Sequence, residues 1–255
     1  MGYTIAVTGK GGVGKTTLAG LLIEYLIQKN RTPILAVDAD ANSNLNEVLG
    51  VEVRVTLGNL RENVINADLD ENSPVPVGMT KQDYLDSSLP GAVTEEDDYD
   101  LLVMGRTQGK GCYCYVNGLL QAQLRRFANN YRCVVVDNEA GMEHISRGIL
   151  PGVDMILIVS DASRRGIQAA ARIKDLVAEL GMRPSAVKLI VNRTPGGEIA
   201  ASVMAEIEKN GFDFAGSVPA DEIITKYDED GSPTSRLPEE STARSTYYAI
   251  LDKIL

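Results

Sequence analysis

A short stretch near the start of the chain has the spacing of a phosphate-binding loop. The residues GKGGVGKT, from Gly9 to Thr16, fit the pattern G-x-x-x-x-G-K-[ST]. They follow the apolar run YTIAVTG, which is typical of a strand, and precede TTLAGLLIEYLIQKN, whose apolar residues recur at helical spacing. In that context the loop amides and the helix N-terminus form an anion cradle, Lys15 reaches the β- and γ-phosphates, and Thr16 holds Mg²⁺. The predicted contacts to nucleotide along this stretch are Gly9, Lys10, Gly11, Gly12, Val13, Gly14, Lys15, Thr16 and Thr17.

Carboxylates follow two further apolar runs. Asp38 and Asp40 lie in DADAN after PILAVD, and Asp137 begins DNEAG after CVVV. Ligands bind at the carboxyl ends of parallel strands, and phosphoryl transfer requires a metal and a group that orients the attacking water. These three side chains are therefore candidates for that chemistry. The alternative for Asp38 or Asp40 is a helix cap or a turn, whereas a carboxylate buried at the end of an apolar run requires a partner.

Two cysteines, Cys112 and Cys114, are separated by one residue in GKGCYCY. Thiolates bind soft or borderline metals, and a closed tetrahedral site requires four nitrogen or sulfur ligands. One chain supplies half of that number, so two chains related by a two-fold axis would complete one site. An incidental polar loop is the alternative, and a disulfide within C-x-C would be strained. Cys133 begins an apolar strand and is predicted to lie in the core.

Composition limits the class of protein. The chain has 255 residues, 44% of them hydrophobic, which is enough for one domain over residues 1–255. Its net charge of −10 disfavours a nucleic-acid partner. No secretory leader and no apolar run of about 18 residues is found, so we expect a cytoplasmic protein that does not enter a membrane. In that reducing compartment three cysteines do not suggest structural disulfides.

The order of the elements predicts the fold class. Continuous apolar runs alternate with amphipathic segments, and the predicted strands include MILIVS, VKLIVN and FAGSV. Such an alternation is typical of an α/β protein with a doubly wound, mostly parallel sheet that is covered by helices on both faces. Between residues 51 and 98 the pattern loosens, and NADLDENSPVPVG and TEEDDYD are predicted to be exposed loops. A helix is predicted from about Gly197 to Asn210.

The stretch KGGVGKTT resembles the deviant phosphate loop of the ATPase class that contains the nitrogenase iron protein, MinD and ParA. In that class the early lysine reaches the nucleotide of the other subunit, which makes Lys10 an intermolecular residue; without the resemblance it would be a solvated loop charge. The resemblance also implies that Asp40 positions water and that Asp38 and Asp137 lie around hydrated Mg²⁺.

The same resemblance implies a base-binding region. Asn192 in VNR, followed by Arg193, matches the asparagine that contacts the base, and the loop near Pro219 in VPADE matches the segment that closes over it. The alternative for Asn192 is a turn residue. No aspartate of an N-K-x-D motif follows Asn192, so ATP is favoured over GTP.

The stretch GKGCYCYVNG, together with DNEAG and VNR, resembles the accessory ATPases that mature carbon monoxide dehydrogenase by helping nickel enter its active-site cluster. This resemblance implies an ATP-hydrolysing homodimer that holds Ni²⁺ or Zn²⁺ between its subunits at Cys112 and Cys114. It also implies carbon monoxide dehydrogenase as the client.

Two other classes share the phosphate loop. A positioning or partition ATPase usually carries a basic amphipathic C-terminal helix or a basic patch, but the last residues, ARSTYYAILDKIL, contain one arginine and one lysine. An iron–sulfur reductase similar to the nitrogenase iron protein takes its cysteines from separate regions, whereas here they are adjacent. The sequence favours the maturation ATPase over both.

Overall fold

The computed structural model describes residues 2–40, 44–66, 75–76, 78–105, 122, 124–138 and 152–255. Cys112, Cys114 and His144, which is the only histidine in the sequence, lie outside these ranges. The predicted pair of thiolates therefore falls between the described ranges that end at residue 105 and begin at residue 122.

Among the described residues, eight strands form one sheet in the order β3-β4-β2-β5-β1-β6-β7-β8. Neighbouring strands are parallel except β3 and β4, which form an antiparallel pair at one edge. The predicted mostly parallel α/β sheet is therefore confirmed. The strands are β1 (Tyr3–Gly9), β2 (Ile34–Ala39), β3 (Val93–Glu95), β4 (Tyr99–Val103), β5 (Cys133–Asn138), β6 (Met155–Asp161), β7 (Ala186–Thr194) and β8 (Asp213–Pro219).

Helices cover both faces of the sheet, as the continuous apolar strands predict. The first hydrophobic cluster packs α3 to α6 on one face, and the second packs α1, α2 and α8 on the other. Successive residues of β1 alternate between them, since Ile5 and Val7 belong to the second cluster and Ala6 to the first. The helices with both ends among the described residues are α1 (Lys15–Gln28), α2 (Leu45–Leu49), α3 (Leu57–Asn66), α4 (Lys81–Ser88), α5 (Arg164–Glu179), α6 (Ala201–Lys209), α7 (Glu222–Asp230) and α8 (Thr242–Ile254). Residues 124–128 are helical as well.

The structure differs from the sequence prediction between residues 51 and 98. Helices α3 and α4 form there, and TEEDDYD is not a loop but contributes to the β3–β4 hairpin. Its acidic residues occupy the exposed tip, while Val93 and Thr94 pair with Leu102 and Leu101. A strand of only three residues beside this acidic tip is too short to show an apolar periodicity in the sequence. Helix α6 begins at Ala201 and not at Gly197, because a 3₁₀ turn over Pro195–Gly197 precedes it.

The helix α8 turns its apolar side toward the protein interior. Ala243, Tyr247, Ile250 and Leu251 are buried in the second hydrophobic cluster. Within the described ranges, no helix combines the length and the hydropathy that crossing a bilayer requires. The apolar face of α8 is therefore buried in the core of the protein.

Candidate nucleotide-binding site

The phosphate loop connects β1 to α1 and depends on glycines. Gly12 and Gly14 have φ angles of 78° and 87°, in the left-handed region where a side chain would be strained. A Cβ on Gly9 would lie 2.2 Å from the Val159 carbonyl oxygen, and one on Gly14 would lie 2.5 Å from Asn192 Nδ2. With any residue other than glycine at positions 9 and 14, the loop could not lie this close to β6 and β7.

Side chains hold three carbonyl groups of this loop. Asn192 Nδ2 donates a hydrogen bond of 2.9 Å to the Val13 carbonyl, and Arg193 Nη1 donates one of 3.0 Å to that of Gly12. Lys15 Nζ lies 3.3 Å from the Lys10 carbonyl oxygen, to which it donates. The backbone of Arg193 is itself in the left-handed region, with φ 57°. A strained backbone conformation persists only where the surrounding contacts hold it in place. Here Asn192 and Arg193, near the end of β7, hold the phosphate loop.

Two buried carboxyl groups lie beside the loop at the carboxyl ends of β2 and β5. Asp38 and Asp137 are opposite each other in the β2–β5 register, and they are 0% and 2% exposed. Asp38 accepts hydrogen bonds of 3.0 Å from the backbone amides of Asp40 and Leu45. Asp137 accepts one from the Thr16 side chain. Its Oδ1 atom is buried and has no hydrogen-bond partner among the described residues.

Burial raises the pKa of both carboxyl groups. The pKa of Asp137 rises to about 7, because burial and the neighbouring Asp38 outweigh the hydrogen bond from Thr16 and the charge of Lys15. The pKa of Asp38 rises to about 6, again through burial, although the amides of Leu45 and Asp40 lower it. A bound cation would reverse both shifts. The unpartnered Oδ1 of Asp137 next to the Thr16 hydroxyl fits hydrated Mg²⁺, which prefers oxygen ligands.

A cleft of about 900 Å³ opens beside the loop. Lys15, Thr16, Thr17 and Asp40 are among the residues that line it, and their contacts with phosphates or water stay predictions. Its far half is lined by α2 and by the segment that ends α7 and follows it. The lining residues are 11–12, 14–17, 40, 44, 46–48, 50–51, 193, 227–228, 231–232 and 234. This size is typical of a small-molecule site.

The family model of the CobQ/CobB/MinD/ParA nucleotide binding domain matches residues 4–234, which include the loop, both carboxylates and the cleft. The chain belongs to this family. Its P-loop and its parallel sheet are thus those of a nucleotide-binding domain of the MinD/ParA class.

Two curated relatives in this class are similar over almost the whole chain. An uncharacterized ATP-binding protein of Methanocaldococcus jannaschii is 42% identical over 251 residues, which cover 98% of each chain. The carbon monoxide dehydrogenase accessory protein CooC of Rhodospirillum rubrum is 31% identical over 264 residues, which cover 98% of this chain and 97% of CooC.

Solved structures confirm the fold. The septum site-determining protein MinD complexed with Mg-ADP from Pyrococcus horikoshii superposes with a TM-score of 0.71 at 20% identity, covering 100% of this chain and 96% of that one. A ParA family ATPase from Chlorobium tepidum gives a TM-score of 0.72 at 21% identity, with 98% of both chains covered. At these identities the likeness concerns the fold alone.

Not every predicted site residue lines the cleft. Asn192 is buried behind the loop that it braces, and Pro219 ends β8 opposite Thr194; neither is among the described residues that line the cleft. Lys10 is exposed on the loop, where a second subunit could reach it. Base contact by Asn192 and Pro219 therefore stays a prediction, as does the intermolecular role of Lys10.

The predicted thiolate site, Cys112 and Cys114, lies outside the described residues. Within the described ranges, no group of three or more His, Cys, Asp or Glu side chains is placed to hold a metal ion. Cys133 is 3% exposed in the second hydrophobic cluster, which confirms its predicted place in the core.

Sequence reasoning missed the far half of the cleft. Asn46, Val48, Tyr227 and Thr234 line it, and none of them belongs to a motif with known chemistry. The sequence marks these two segments only by the glycines that end them, Gly50 after α2 and Gly231 after α7. Both glycines have left-handed φ angles.

Proposed function

We propose that the chain is a Mg²⁺-dependent ATPase that acts as a metal-binding dimer in the maturation of carbon monoxide dehydrogenase. The observation that carries the ATPase part is the placement of Lys15 and Thr16 next to two buried carboxyl groups at one end of the cleft. Names of relatives agree with it, since one is an ATP-binding protein and the Pyrococcus MinD was solved with Mg-ADP.

Each residue has a role in hydrolysis. Lys15 is 8% exposed and leaves the Lys10 carbonyl to bind the β- and γ-phosphates. Thr16 and Asp137 hold the hydrated ion, and Asp38 keeps the following turn in place through the amides of Asp40 and Leu45. Asp40 lines the cleft at that turn and orients the attacking water. When bound, Mg²⁺ neutralises charge on the phosphate oxygens.

The nucleotide is ATP and not GTP. Arg193, Thr194 and Pro195 follow Asn192, so the aspartate of an N-K-x-D motif, with which guanine would be selected, is missing from this stretch. Asn192 donates its amide to Val13, and we expect its remaining polar group and the Pro219 loop to contact adenine.

The maturation role rests on the two adjacent cysteines and on the relative CooC. The strand β4 is parallel to β2, and Val103 is the register partner of Asp38, so the chain leaves β4 at the edge of the sheet where the nucleotide cleft lies. Cys112 and Cys114 follow a few residues later in the sequence. Two thiolates from each subunit hold the nickel cargo, or zinc, and Lys10 reaches the partner's nucleotide, so metal and ATP favour the same dimer.

The alternative is a positioning ATPase, because septum site-determining MinD of Thermotoga maritima is 26% identical over 76% of this chain. A membrane-binding helix needs a free apolar face. In α8 the apolar residues Tyr247 and Leu251 are fully buried, so that helix would have to leave the sheet to bind lipid. We therefore favour the maturation role.

Activation of nickel-free carbon monoxide dehydrogenase tests this function. With ATP and Ni²⁺, the wild-type chain should raise the rate of carbon monoxide oxidation above that with Ni²⁺ alone. A double variant, Cys112→Ala with Cys114→Ala, should not, whereas Cys133→Ala is the matched control for loss of a thiol and should retain the effect. Equal activation by the double variant and the wild type would reject the maturation role.

A further inference from the structure

One side chain at the end of β5 joins two strands of the sheet. Asn138 is 1% exposed, and its Nδ2 atom donates hydrogen bonds of 3.1 Å to the Val7 carbonyl of β1 and of 3.3 Å to the Val136 carbonyl of its own strand. The residue directly follows Asp137, and it is not among the residues that line the nucleotide cleft. Its amide therefore holds β1 and β5 in place relative to each other.

The amide of Asn138 acts where the ladder between β1 and β5 ends. The last register pair of these two strands is Val7 with Asp137. Beyond that pair, β1 stays paired with β6 as far as Gly9, and β5 stays paired with β2 as far as Asn138. The hydrogen bond from Asn138 to Val7 thus connects β1 and β5 at the point where their backbone pairing stops.

Asn138 and Asp137 lie on opposite faces of the sheet, because successive residues of a strand alternate between its faces. On β5, Val136 belongs to the first hydrophobic cluster and Val135 to the second. Asn138 therefore shares the face of the first cluster. Asp137 shares the face that α1 covers, where it accepts its hydrogen bond from Thr16. The Asn138 side chain is thus separated from Thr16 by the sheet itself.

The position of the Asp137 carboxyl group depends on the backbone that carries it. Its Oδ1 atom has no hydrogen-bond partner among the described residues, so no such bond fixes that atom. Val7 lies two residues before Gly9, where the phosphate loop begins, and α1 with Thr16 follows the loop. The hydrogen bond from Asn138 to Val7 therefore links the strand that carries Asp137 to the strand that leads into the loop and Thr16.

We propose that Asn138 is a positioning residue for Mg²⁺, which sets the position of Asp137 relative to Thr16 from the opposite face of the sheet. The proposal rests on the proposed ATPase function, in which Asp137 and Thr16 hold the hydrated ion. Mg²⁺ demands near-ideal octahedral geometry, so the groups that hold it must keep a fixed relation to each other. Residues that only orient the ligands of a metal typically contribute about 10- to 100-fold to its affinity.

Binding of Mn²⁺, which prefers the same oxygen ligands as Mg²⁺ and is visible by electron paramagnetic resonance, tests this role. Asn138→Thr suits a strand, but its hydroxyl lies one bond closer to the backbone than the amide nitrogen and does not span to Val7. We expect the variant with bound ADP to bind Mn²⁺ roughly 10-fold more weakly than the wild type does. Asn138→Ala, a second variant without the bridge, should behave in the same way.

Calorimetry of ADP binding in EDTA separates the metal from the nucleotide. Without a metal ion, Asn138→Thr and the wild type should bind ADP equally, because the phosphate loop keeps its own contacts to Asn192 and Arg193. An equal loss of ADP affinity in EDTA would place the effect on the phosphate loop instead of on Asp137, and it would overturn the proposal.

Val134→Ala is the matched control for lost stability. Val134 is 1% exposed, lies on the same strand and belongs to the first cluster, so its truncation destabilises β5 near the other end. Both Val134→Ala and Asn138→Thr should unfold at a lower temperature than the wild type, but Val134→Ala should bind Mn²⁺ as the wild type does. An equal loss of Mn²⁺ affinity in Val134→Ala would mean that Asn138 contributes to stability alone.

A double-mutant cycle tests whether the effect passes through Asp137. Asp137→Asn should weaken Mn²⁺ binding at least as much as Asn138→Thr, and adding Asn138→Thr to it should weaken binding no further. Additive losses, or wild-type Mn²⁺ binding by Asn138→Thr, would reject the positioning role while the metal site stands. A wild-type protein that adds nothing to the Mn²⁺ affinity of ADP alone would instead contradict the proposed Mg²⁺ site, and the positioning role would fail with it.

Discussion

Asp38 and Asp137 face each other across the parallel strands β2 and β5, both buried beside the phosphate loop. Two like charges at this position are unfavourable without a cation, and the pKa of each carboxyl group is raised. The protein thus retains a pair of groups that destabilises it in the absence of ligand. Catalytic sites are where such pairs are found.

The first prediction concerns the stability of the ligand-free protein. The pKa of Asp137 is about 7 in the folded state against an ordinary value of 3.8, so the folded state binds more protons between these values. Stability therefore falls as the pH rises from about 4 to about 7 and is constant above. Asp137→Asn does not lose stability in this way. The free energy of unfolding of the variant, relative to that of the wild type, should therefore be about 2 kcal/mol higher at pH 8 than at pH 5. Urea unfolding at both pH values measures the difference.

Asp98→Asn serves as the control for that prediction, because it removes an exposed carboxylate at the tip of the β3–β4 hairpin. Its stability relative to the wild type should change little between the two pH values. Mg-ADP should then stabilise the wild type at pH 8 more than it stabilises Asp137→Asn. A pH dependence that Asp137→Asn shares with the wild type would show that this carboxyl group is not the one that titrates.

The second prediction separates binding from hydrolysis at Asp40. The residue lines the cleft, and its own backbone amide donates to Asp38; Asp40→Ala keeps that amide, so it should bind ADP within a few-fold of the wild type. Turnover should fall about 100-fold or more, because the attacking water is no longer oriented. Phosphate release together with fluorescent-nucleotide titration measures both. Normal hydrolysis by this variant would remove Asp40 from the mechanism.

The third prediction concerns Asn192, whose amide donates to Val13. Asn192→Ala should weaken tripolyphosphate binding roughly 3- to 15-fold, because the loop loses one brace, and should weaken ADP binding further if the residue also contacts adenine. The wild type should bind ADP well and GDP poorly. Asn210→Ala is the matched control, because the Asn210 side chain donates to the Glu206 carbonyl and does not line the cleft. Equal affinity for ADP and GDP would reject selection of adenine.

The fourth prediction is the stoichiometry of the metal. Two thiolates per chain cannot complete a tetrahedral site, so Ni²⁺ or Zn²⁺ should bind once per dimer at Cys112 and Cys114. Because metal and nucleotide would both bind the dimer, each should raise the protein's affinity for the other, and by the same factor. Sedimentation with metal analysis, with and without ADP, compares the wild type with the double alanine variant. One ion per monomer, or an unchanged metal content in the variant, would exclude a shared site.

Some of these features are predictable from sequence, and the reasons are local. The phosphate loop is found from glycine spacing, because Gly12 and Gly14 must adopt left-handed φ angles. Asp38 and Asp137 are found because each lies near the end of a long apolar run, and parallel strands bring their carboxyl ends together. The alternation of elements likewise predicts the mostly parallel sheet.

Other features depend on tertiary packing that no pattern encodes. Thr234 and Asn46 are ordinary residues until α2 and residues 231–236 pack on α1 and bury them beside the cleft. A motif finds Asn192, but its hydrogen bond to Val13 requires β7 to lie beside the loop. The strand β3 is too short, and its neighbours too acidic, for periodicity to indicate it.

Hydrolysis of ATP by the purified chain tests the central claim most directly. Steady-state phosphate release is measured with and without Mg²⁺ for the wild type, for Lys15→Ala, and for Lys29→Ala, which removes a lysine at the other end of α1. The account predicts Mg²⁺-dependent release by the wild type and by Lys29→Ala, and a rate at least about 100-fold lower for Lys15→Ala. Release by Lys15→Ala at the wild-type rate would contradict it.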